Sequence, residues 1–486
     1  MSDYQGILFF GQSLEMAGRG ISGFRLRTAA TKAGFNILII DYVGDLNSDQ
    51  IVQIIEKHNT GSLKFLGFST SWIENTNKST FKWYNYMFFK LLKEKFSNLL
   101  LISGGHDVVN RKELLHYSDY HFHGYSDNTF VEFLKLINNQ PYNLTLSENK
   151  TLFNGKFIDS NKTNPVGDPD EIETVLLPED NFLSFQPVPI EISRGCIFRC
   201  SFCRHPFQGK KEYDSYQRTP ESIARELARN YELFGTTRYT IMDDTFNDSI
   251  EKLDRLKQAI EIAKLPDFQF VAYIRPELLV TKPEMIPMLS DMGLRGAFFG
   301  VESFNATARK SIGKGVDVNR VIEAGYKLAE AGSLIHASLI VGLPGESKEE
   351  IIEAQKYLTS GKSPFRSWIW QALGIRNEGV NVAEAKSMFD KRPEDYGYTI
   401  PQNSNLWKNE HFTFVSATEL TKKLNENSQS YMKFAGWKVA GAWHLDKSDE
   451  VIEKDVIDNN KFYHELKILS AKRVDTELQR LGISNA

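Results

Sequence analysis

From Gly6 onward the chain alternates short apolar runs with longer stretches in which apolar positions recur every three or four residues. The short runs read as buried strands and the longer ones as amphipathic helices. In the first third, strands are expected at 7–10, 36–41, 63–69 and 99–103, helices at 23–33, 49–58 and 80–95, and a last strand and helix within 120–137. The alternation returns after an apolar run at 187–192. Helices are then expected at 220–234, 250–263, 282–292, 318–331 and 348–360, with strands at 238–242, 268–274, 296–301 and 334–341. Repeated strand–helix units imply parallel strands joined by right-handed crossovers. The pattern therefore predicts an α/β protein with an open, doubly wound sheet first and a parallel barrel or partial barrel second. In both, functional groups belong at the carboxyl ends of the strands.

Between the two blocks, residues 138–184 are rich in Asn, Asp, Lys, Thr and Pro and read as a meandering linker. Beyond 360 the alternation stops. Trp368, Trp370, Trp407, Trp437 and Trp443 gather there with Tyr396, Tyr398, Phe412 and Phe414. Such large rigid side chains suit either a cover that closes the barrel mouth and shapes a substrate pocket, or the core of a small helical subdomain. Helical patterns at 432–443 and 456–481 end in a charged, partly amphipathic segment suited to packing against the barrel. The expected organisation is a first domain at 1–137, a linker at 138–184, a barrel at 185–360 and a mainly helical region at 361–486.

Composition narrows the classes further. Across 486 residues, 41% hydrophobic and 25% charged residues are ordinary globular usage. A net charge of -4 gives no broad basic surface for nucleic acid. No apolar run reaches membrane-spanning length, and the first residues lack a charged region followed by an apolar core. A soluble, cytoplasmic protein with no membrane or nucleic-acid partner is expected.

The three cysteines, Cys196, Cys200 and Cys203, all fall in one window of eight residues, after the apolar run and the turn Ser193-Arg194-Gly195. Their spacing also fits one face of a helix, where cysteine is a good small core residue. Gly195, Arg199 and Arg204 argue instead for a loop with no wholly apolar face. Structural zinc wants four ligands, and His205, directly after the stretch that ends in Cys203 and Arg204, reaches such a site poorly. An iron–sulfur cluster is held by thiolates, and three of them leave one iron open to another ligand.

The run Cys196-Ile197-Phe198-Arg199-Cys200-Ser201-Phe202-Cys203 after an apolar strand resembles the signature loop of the radical S-adenosylmethionine (SAM) superfamily. That resemblance implies a partial (β/α)6 barrel and a [4Fe-4S] cluster on Cys196, Cys200 and Cys203. Its open iron would chelate SAM and reduce it to a 5'-deoxyadenosyl radical, with Phe202 near the adenine. Polar residues at successive strand ends fit the same scheme. Asp243 and Asp244, in Met242-Asp243-Asp244-Thr245-Phe246, suit the SAM ammonium, although either also suits a helix N-cap. Arg275 suits the SAM carboxylate. Glu302 suits the ribose hydroxyls or the amine, and Ser338, Ile340 and Gly342 belong to the run implied to line the adenine. Tyr273, one strand position before the Ile274-Arg275 pair, is a candidate catalytic residue.

The first block resembles the Rossmann-like cobalamin-binding domain of B12-dependent radical SAM enzymes. Ser69 and Ser71 correspond to that family's serine loop, Gly104 and Gly105 to its paired glycines, and Gly124 to the glycine after the last strand. The Asp-x-His-x-x-Gly element that supplies an axial histidine in B12 methyltransferases is absent after Phe10. His106, His121 and His123 read as ordinary polar or core histidines.

The resemblance as a whole implies a cobalamin-dependent radical SAM enzyme that methylates an unactivated carbon of a small molecule or peptide. A flavodoxin or ferredoxin would serve as reductant. One alternative is a radical SAM oxidoreductase, cyclase or epimerase whose first domain transfers no methyl group. Another is a non-catalytic iron–sulfur or corrinoid-binding protein. No cysteine is left in this sequence for an auxiliary cluster, which also disfavours a methylthiotransferase of the usual kind.

Overall fold

A computed structural model of the chain describes residues 3–11, 19–70, 84–105, 112–148, 155–160, 168–182, 186–203, 216–375, 387–401, 406–428, 472 and 474–483. Two compact units emerge: Met1–Asp180 with Asn460–Ala486, and Asn181–Asn459.

The first unit runs β1 (Gly6–Phe9), α1 (Ser22–Lys32), β2 (Ile37–Ile40), α2 (Ser48–His58), β3 (Phe65–Ser69), α3 (Tyr86–Lys95), β4 (Leu100–Gly104), α4 (Lys112–Tyr117), β5 (Tyr120–His123), α5 (Asp127–Ile137), β6 (Ser147–Glu148) and β7 (Lys156–Asp159). These strands form one sheet in the order β2-β1-β3-β4-β5-β7-β6, parallel except for the β6–β7 pair. The order of its first five strands is that of a doubly wound sheet of the flavodoxin type. Both faces are covered, so β1 and β2 are buried at every position and read as continuous apolar runs. Helix α2 starts on a capping box, in which Asn47 and Gln50 each satisfy the other's backbone N–H.

Residues 138–184 are not the linker that their composition suggests. Strand β7 pairs with β5 and extends the sheet. The stretch that follows is fastened to α1. Arg27 forms a buried ion pair with Asp180, Arg25 Nη2 donates to the Glu171 carbonyl at 3.0 Å, and Val175 N donates to Thr28 Oγ1 at 3.0 Å. Polar residues here serve buried cations and backbone groups, which composition does not reveal. The C-terminal segment also departs from expectation. Val474, Leu478, Leu481 and Ile483 are buried in the first unit's core with Tyr42, Ile51, Ile55 and Phe88, so this amphipathic end completes the first unit rather than the barrel.

The second unit runs β8 (Val188–Ile190), α6 (Pro220–Phe234), β9 (Arg238–Ile241), α7 (Ile250–Ala263), β10 (Gln269–Ile274), α8 (Pro276–Thr281), α9 (Met285–Asp291), β11 (Leu294–Glu302), α10 (Ala306–Ser311), α11 (Val318–Glu330), β12 (Leu334–Val341), α12 (Lys348–Thr359), β13 (Phe365–Ala372), α13 (Met388–Lys391) and α14 (Phe414–Ser428). Its six strands are parallel and lie in sequence order, which is the open arc of a partial barrel. The two faces of the arc are distinct. Tyr239 Oη reaches the Leu227 carbonyl of α6, and Trp368 Nε1 and Trp370 Nε1 both donate to Gln355 Oε1 of α12, so these residues point outward. Their strand neighbours point inward.

Strand β13 lies beyond the expected end of the barrel at 360. Trp368 and Trp370 therefore belong to strand–helix packing and do not cover the mouth. Trp437, Trp443 and the expected helix at 432–443 lie outside the described residues, as does most of 456–481.

Candidate active site

The site is built at the carboxyl ends of the barrel strands, beginning where β8 gives way to the cysteine loop. Ile192 N and Ser193 N donate to Asp243 Oδ1 at 2.8 and 3.2 Å, and Ser193 Oγ donates to Oδ2 at 2.8 Å. Lys252 Nζ of α7 lies 2.6 Å from the same Oδ2, and both side chains are wholly buried. Burial pulls the Lys252 pKa down, but Asp243 and Asp248 outweigh it and the net shift is upward. Asp248 is shifted up by burial. Asp243 is thus saturated by four donors and anchors the start of the cysteine loop. The expected role on the SAM ammonium does not fit it.

The cysteine loop turns through Gly195 at φ 84° and is irregular, so its spacing is not that of a helix face. All three cysteines are partly exposed. Cys203 N closes a turn onto the Cys200 carbonyl at 3.0 Å, while Ser201 N and Oγ reach the Ile312 and Ser311 carbonyls at 3.4 and 3.0 Å. Cys196 Sγ lies 3.4 Å from Thr245 Oγ1, and burial pushes that thiol's pKa up. Cys200 Sγ accepts a hydrogen bond from Arg275 Nη1 at 3.2 Å. Among the described residues, no three His, Cys, Asp or Glu side chains converge as the ligands of a single metal ion. In a cubane each thiolate binds its own iron, so three thiols spread along one loop fit a cluster better than a mononuclear site. His205 lies outside the described residues. Phe202 is half-buried in the same loop.

Arg275 is held on every side. Asn247 fixes its backbone, with Oδ1 accepting from Arg275 N at 2.7 Å and Nδ2 donating to its carbonyl at 3.1 Å. Its guanidinium lies 3.9 Å from the centroid of the Phe198 ring, and Nη2 donates to the Gly313 carbonyl at 3.0 Å. Nε stands 3.5 Å from Glu277, whose other oxygen takes Arg309 at 2.7 Å. A clamp for the SAM carboxylate, as the sequence suggests, would have to release these partners.

The next strand ends at Glu302, a non-glycine residue at φ 65° where the β11–β12 register shifts. Such a backbone persists only where its surroundings fix it. Lys314 Nζ does so at Gly300 O, 2.5 Å, and at Glu302 Oε1, 3.0 Å, while Arg309 donates to the Val301 carbonyl. Ser338 pairs with Gly300 across the strands, and Ile340 lies on the same inner face. Gly342, at φ 98°, does not present open backbone. A Cβ there would lie 2.3 Å from the Trp407 ring, and its carbonyl accepts from Tyr398 Oη at 2.7 Å and Asn409 Nδ2 at 3.1 Å. The expected adenine contact at Gly342 is replaced by packing against Trp407. Asp244 is half-buried beside the loop, and its charge bears on Cys196.

Deeper on the inner face, the Tyr273 ring meets Phe298 at 4.9 Å, Phe298 meets His336 at 4.8 Å, and His336 Nδ1 lies 2.8 Å from Ser367 Oγ. Burial lowers the His336 pKa to about 3, so the ring is neutral. Sequence reasoning missed His336, Lys252, Asn247, Arg309 and Lys314. Each looks like an ordinary polar residue of a helix, strand or turn until its partner is known.

In the first unit, Ser69 ends β3, Gly104 ends β4, Gly105 follows at φ 131°, and Gly124 follows β5 at φ 87°. Adjacent strand ends therefore bring Ser69, Gly104, Gly105 and Gly124 to one edge. Among the described residues, a Cβ at Gly104 would meet Phe122 atoms at 3.6 and 3.7 Å, ordinary contact distances. Ser71 and His106 lie outside the described residues, as does 12–18, where the absent histidine element would fall. His121 is buried with Nδ1 at 2.9 Å from Ser103 Oγ, and His123 is buried against Phe157, as core histidines are.

Residues 190–358 match the Radical SAM superfamily. That stretch carries a radical SAM domain. The chain is 27% identical over 185 residues to an uncharacterized methyltransferase of Pyrococcus horikoshii, an alignment covering 37% of this chain and 39% of that protein. It is 26% identical over 178 residues to the ribosomal protein uS12 methylthiotransferase RimO of Nitratiruptor, covering 35% and 40%. The chain thus spans about two-fifths of the length of these curated relatives. Among solved structures, the radical SAM methyltransferase TsrM of Kitasatospora setae, with tryptophan substrate and a SAM analogue, superposes with a TM-score of 0.61 at 15% identity over 82% of this chain and 78% of that one. The cobalamin-dependent radical SAM enzyme OxsB, with aqua-cobalamin and SAM, gives 0.56 at 13% identity over 88% and 61%. The chain therefore shares its fold, a doubly wound sheet and a parallel partial barrel, with both.

Proposed function

We propose that the protein is a cobalamin-dependent radical SAM methyltransferase acting at an unactivated carbon of a small molecule or peptide. The observation that carries this reading is the pairing of a three-thiol loop at the mouth of a parallel partial barrel with a doubly wound unit whose β3, β4 and β5 end in Ser69, Gly104 and Gly124. When bound, a [4Fe-4S] cluster on Cys196, Cys200 and Cys203 supplies the electron that cleaves SAM, and a cobalamin supplies the methyl group. The chain's own residues bind and orient. Asp244 faces the SAM ammonium, Glu302 the ribose hydroxyls or amine, and Ser338, Ile340 and Phe202 the adenosine. Ser69, Gly104, Gly105 and Gly124 admit the nucleotide end of cobalamin, and Ser71 continues that loop in sequence. Tyr273, half-buried on the barrel's inner face, lies where substrate would contact it. The reductant is a flavodoxin or ferredoxin, and the protein works in the cytoplasm, where an exposed cluster survives.

Both TsrM and OxsB are described as SAM-radical proteins, with cobalamin, which supports the cofactor pair. RimO's methylthiotransfer is not favoured, because the three cysteines present are all taken by one loop. The test is product analysis after anaerobic incubation with SAM, cobalamin and a reductant. Formation of 5'-deoxyadenosine together with S-adenosylhomocysteine supports methyl transfer. Deoxyadenosine alone would favour a radical oxidoreductase, cyclase or epimerase, and neither product a non-catalytic cluster or corrinoid protein.

A further inference from the structure

Arg275 touches the cysteine loop at two points that belong to different residues. Its Nη1 donates to Cys200 Sγ at 3.2 Å, and its guanidinium carbon lies 3.9 Å from the centroid of the ring of Phe198, which falls midway in sequence between Cys196 and Cys200. Behind it, Glu277 faces Nε at 3.5 Å and is itself tied to Arg309 at 2.7 Å, while Gly313 O takes Nη2 at 3.0 Å. Asn247 grips the backbone of Arg275 from both sides. The side chain is only 11% exposed. A cation so thoroughly located, with a donor aimed at a ligand sulfur, is built to act on that sulfur.

We propose that Arg275 sets the electron affinity of the cluster through Cys200, an inference that rests on the cluster reading above. Hydrogen bonds to cluster sulfurs and the net charge around them govern reduction potential. A guanidinium donating to Cys200 withdraws electron density from the thiolate and offsets the negative charge that reduction adds. Both effects make the reduced cluster easier to reach. The contact with Phe198 keeps the donor aimed at Cys200. Arg275 is therefore a positioning residue for the cluster. Lysine would keep the charge but not the planar stacking or the second parallel donor.

The test is an anaerobic reductive titration of iron-loaded wild type, R275K and R275Q, followed by the electron paramagnetic resonance signal of the reduced cluster, with iron counted in each. The expected result is a shift of R275Q to a more negative potential than wild type, with R275K between them. Iron-loaded R275Q that titrates at the wild-type potential overturns the inference and leaves the cluster reading standing. Wild type that takes up no iron overturns both. Should R275Q retain no iron, R275K decides: a potential below wild type supports the inference, and an unchanged one overturns it.

Discussion

Two buried carboxylates near the barrel mouth are handled in opposite ways, and the difference is measurable. Asp243 is met by two backbone N–H groups, Ser193 Oγ and Lys252 Nζ, so its charge is fully answered. Replacing Lys252 with methionine removes the cation and leaves a buried carboxylate behind, a change that costs about 3–5 kcal/mol. Urea unfolding of K252M is expected to show a loss of that size, with weaker iron retention because Asp243 fixes Ile192 and Ser193 ahead of the cysteines. A loss below about 1 kcal/mol, the worth of a surface pair, would contradict this.

Glu346 has only Ser303 Oγ on one oxygen, while the other has no partner among the described residues. Burial raises its pKa from 4.5 to about 8, with Ser303 lowering it and Glu350 adding to the rise. The folded protein holds a proton there that the unfolded chain has already lost. Its stabilising contribution is complete below pH 4.5 and declines as pH rises towards about 8, at about 1.4 kcal/mol per pH unit. Glu346→Gln is expected to flatten stability across that window, measured as urea midpoints at successive pH values. Parallel curves for wild type and E346Q would contradict the assignment.

Residue types were readable in the sequence where they are rare and concentrated, as with the three cysteines. Partners were not. Lys252 sits on α7 near Lys257 and Glu251 and reads as solvent charge, yet it lies at Asp243 because the strand β9 and α7 return side by side. The protein contacts of Asp243 and Arg275 were not legible either, since a carboxylate or guanidinium at a strand end suits a ligand and a structural anchor equally.

Among elements, the turn after β12 shows how tightly the mouth is packed. Gly342 combines φ 98° with a Trp407 ring that occupies the space of a Cβ at 2.3 Å. Gly342→Ala therefore faces backbone strain and an overlap with a rigid ring, together about 2–4 kcal/mol. Thermal unfolding of the second unit should fall accordingly, and an unchanged midpoint would contradict the packing described for Trp407. Most strands were legible because burial on both faces makes them continuous apolar runs. Strand β13 was not: Arg366 and Gln371 are exposed and interrupt the run, and two tryptophans there resemble a pocket lining more than a strand. Strand β7 is four residues long with two only partly buried, too short to separate from loop by periodicity. Helix α8 hides because Pro276 starts it directly after β10, where the pattern still reads as strand end.

The chain as a whole forms two units, each with its own mainly parallel sheet and its own row of strand ends. The C-terminal residues show that this division does not follow chain order, since Leu478 and Leu481 return to the first unit's core. An amphipathic pattern announces that a face will be buried but not which surface will cover it. Among the described residues, no helix is long and apolar enough to cross a membrane. The proposed function requires a cluster on one unit and a corrinoid on the other. Iron and cobalt counts after anaerobic reconstitution with iron, sulfide and hydroxocobalamin test it most directly, in wild type and in Cys200→Ala. The expected result is about four irons, the content of one [4Fe-4S] cluster, beside near-stoichiometric cobalt in wild type, and loss of iron with cobalt retained in C200A. Iron without cobalt, or iron undiminished in C200A, would contradict it.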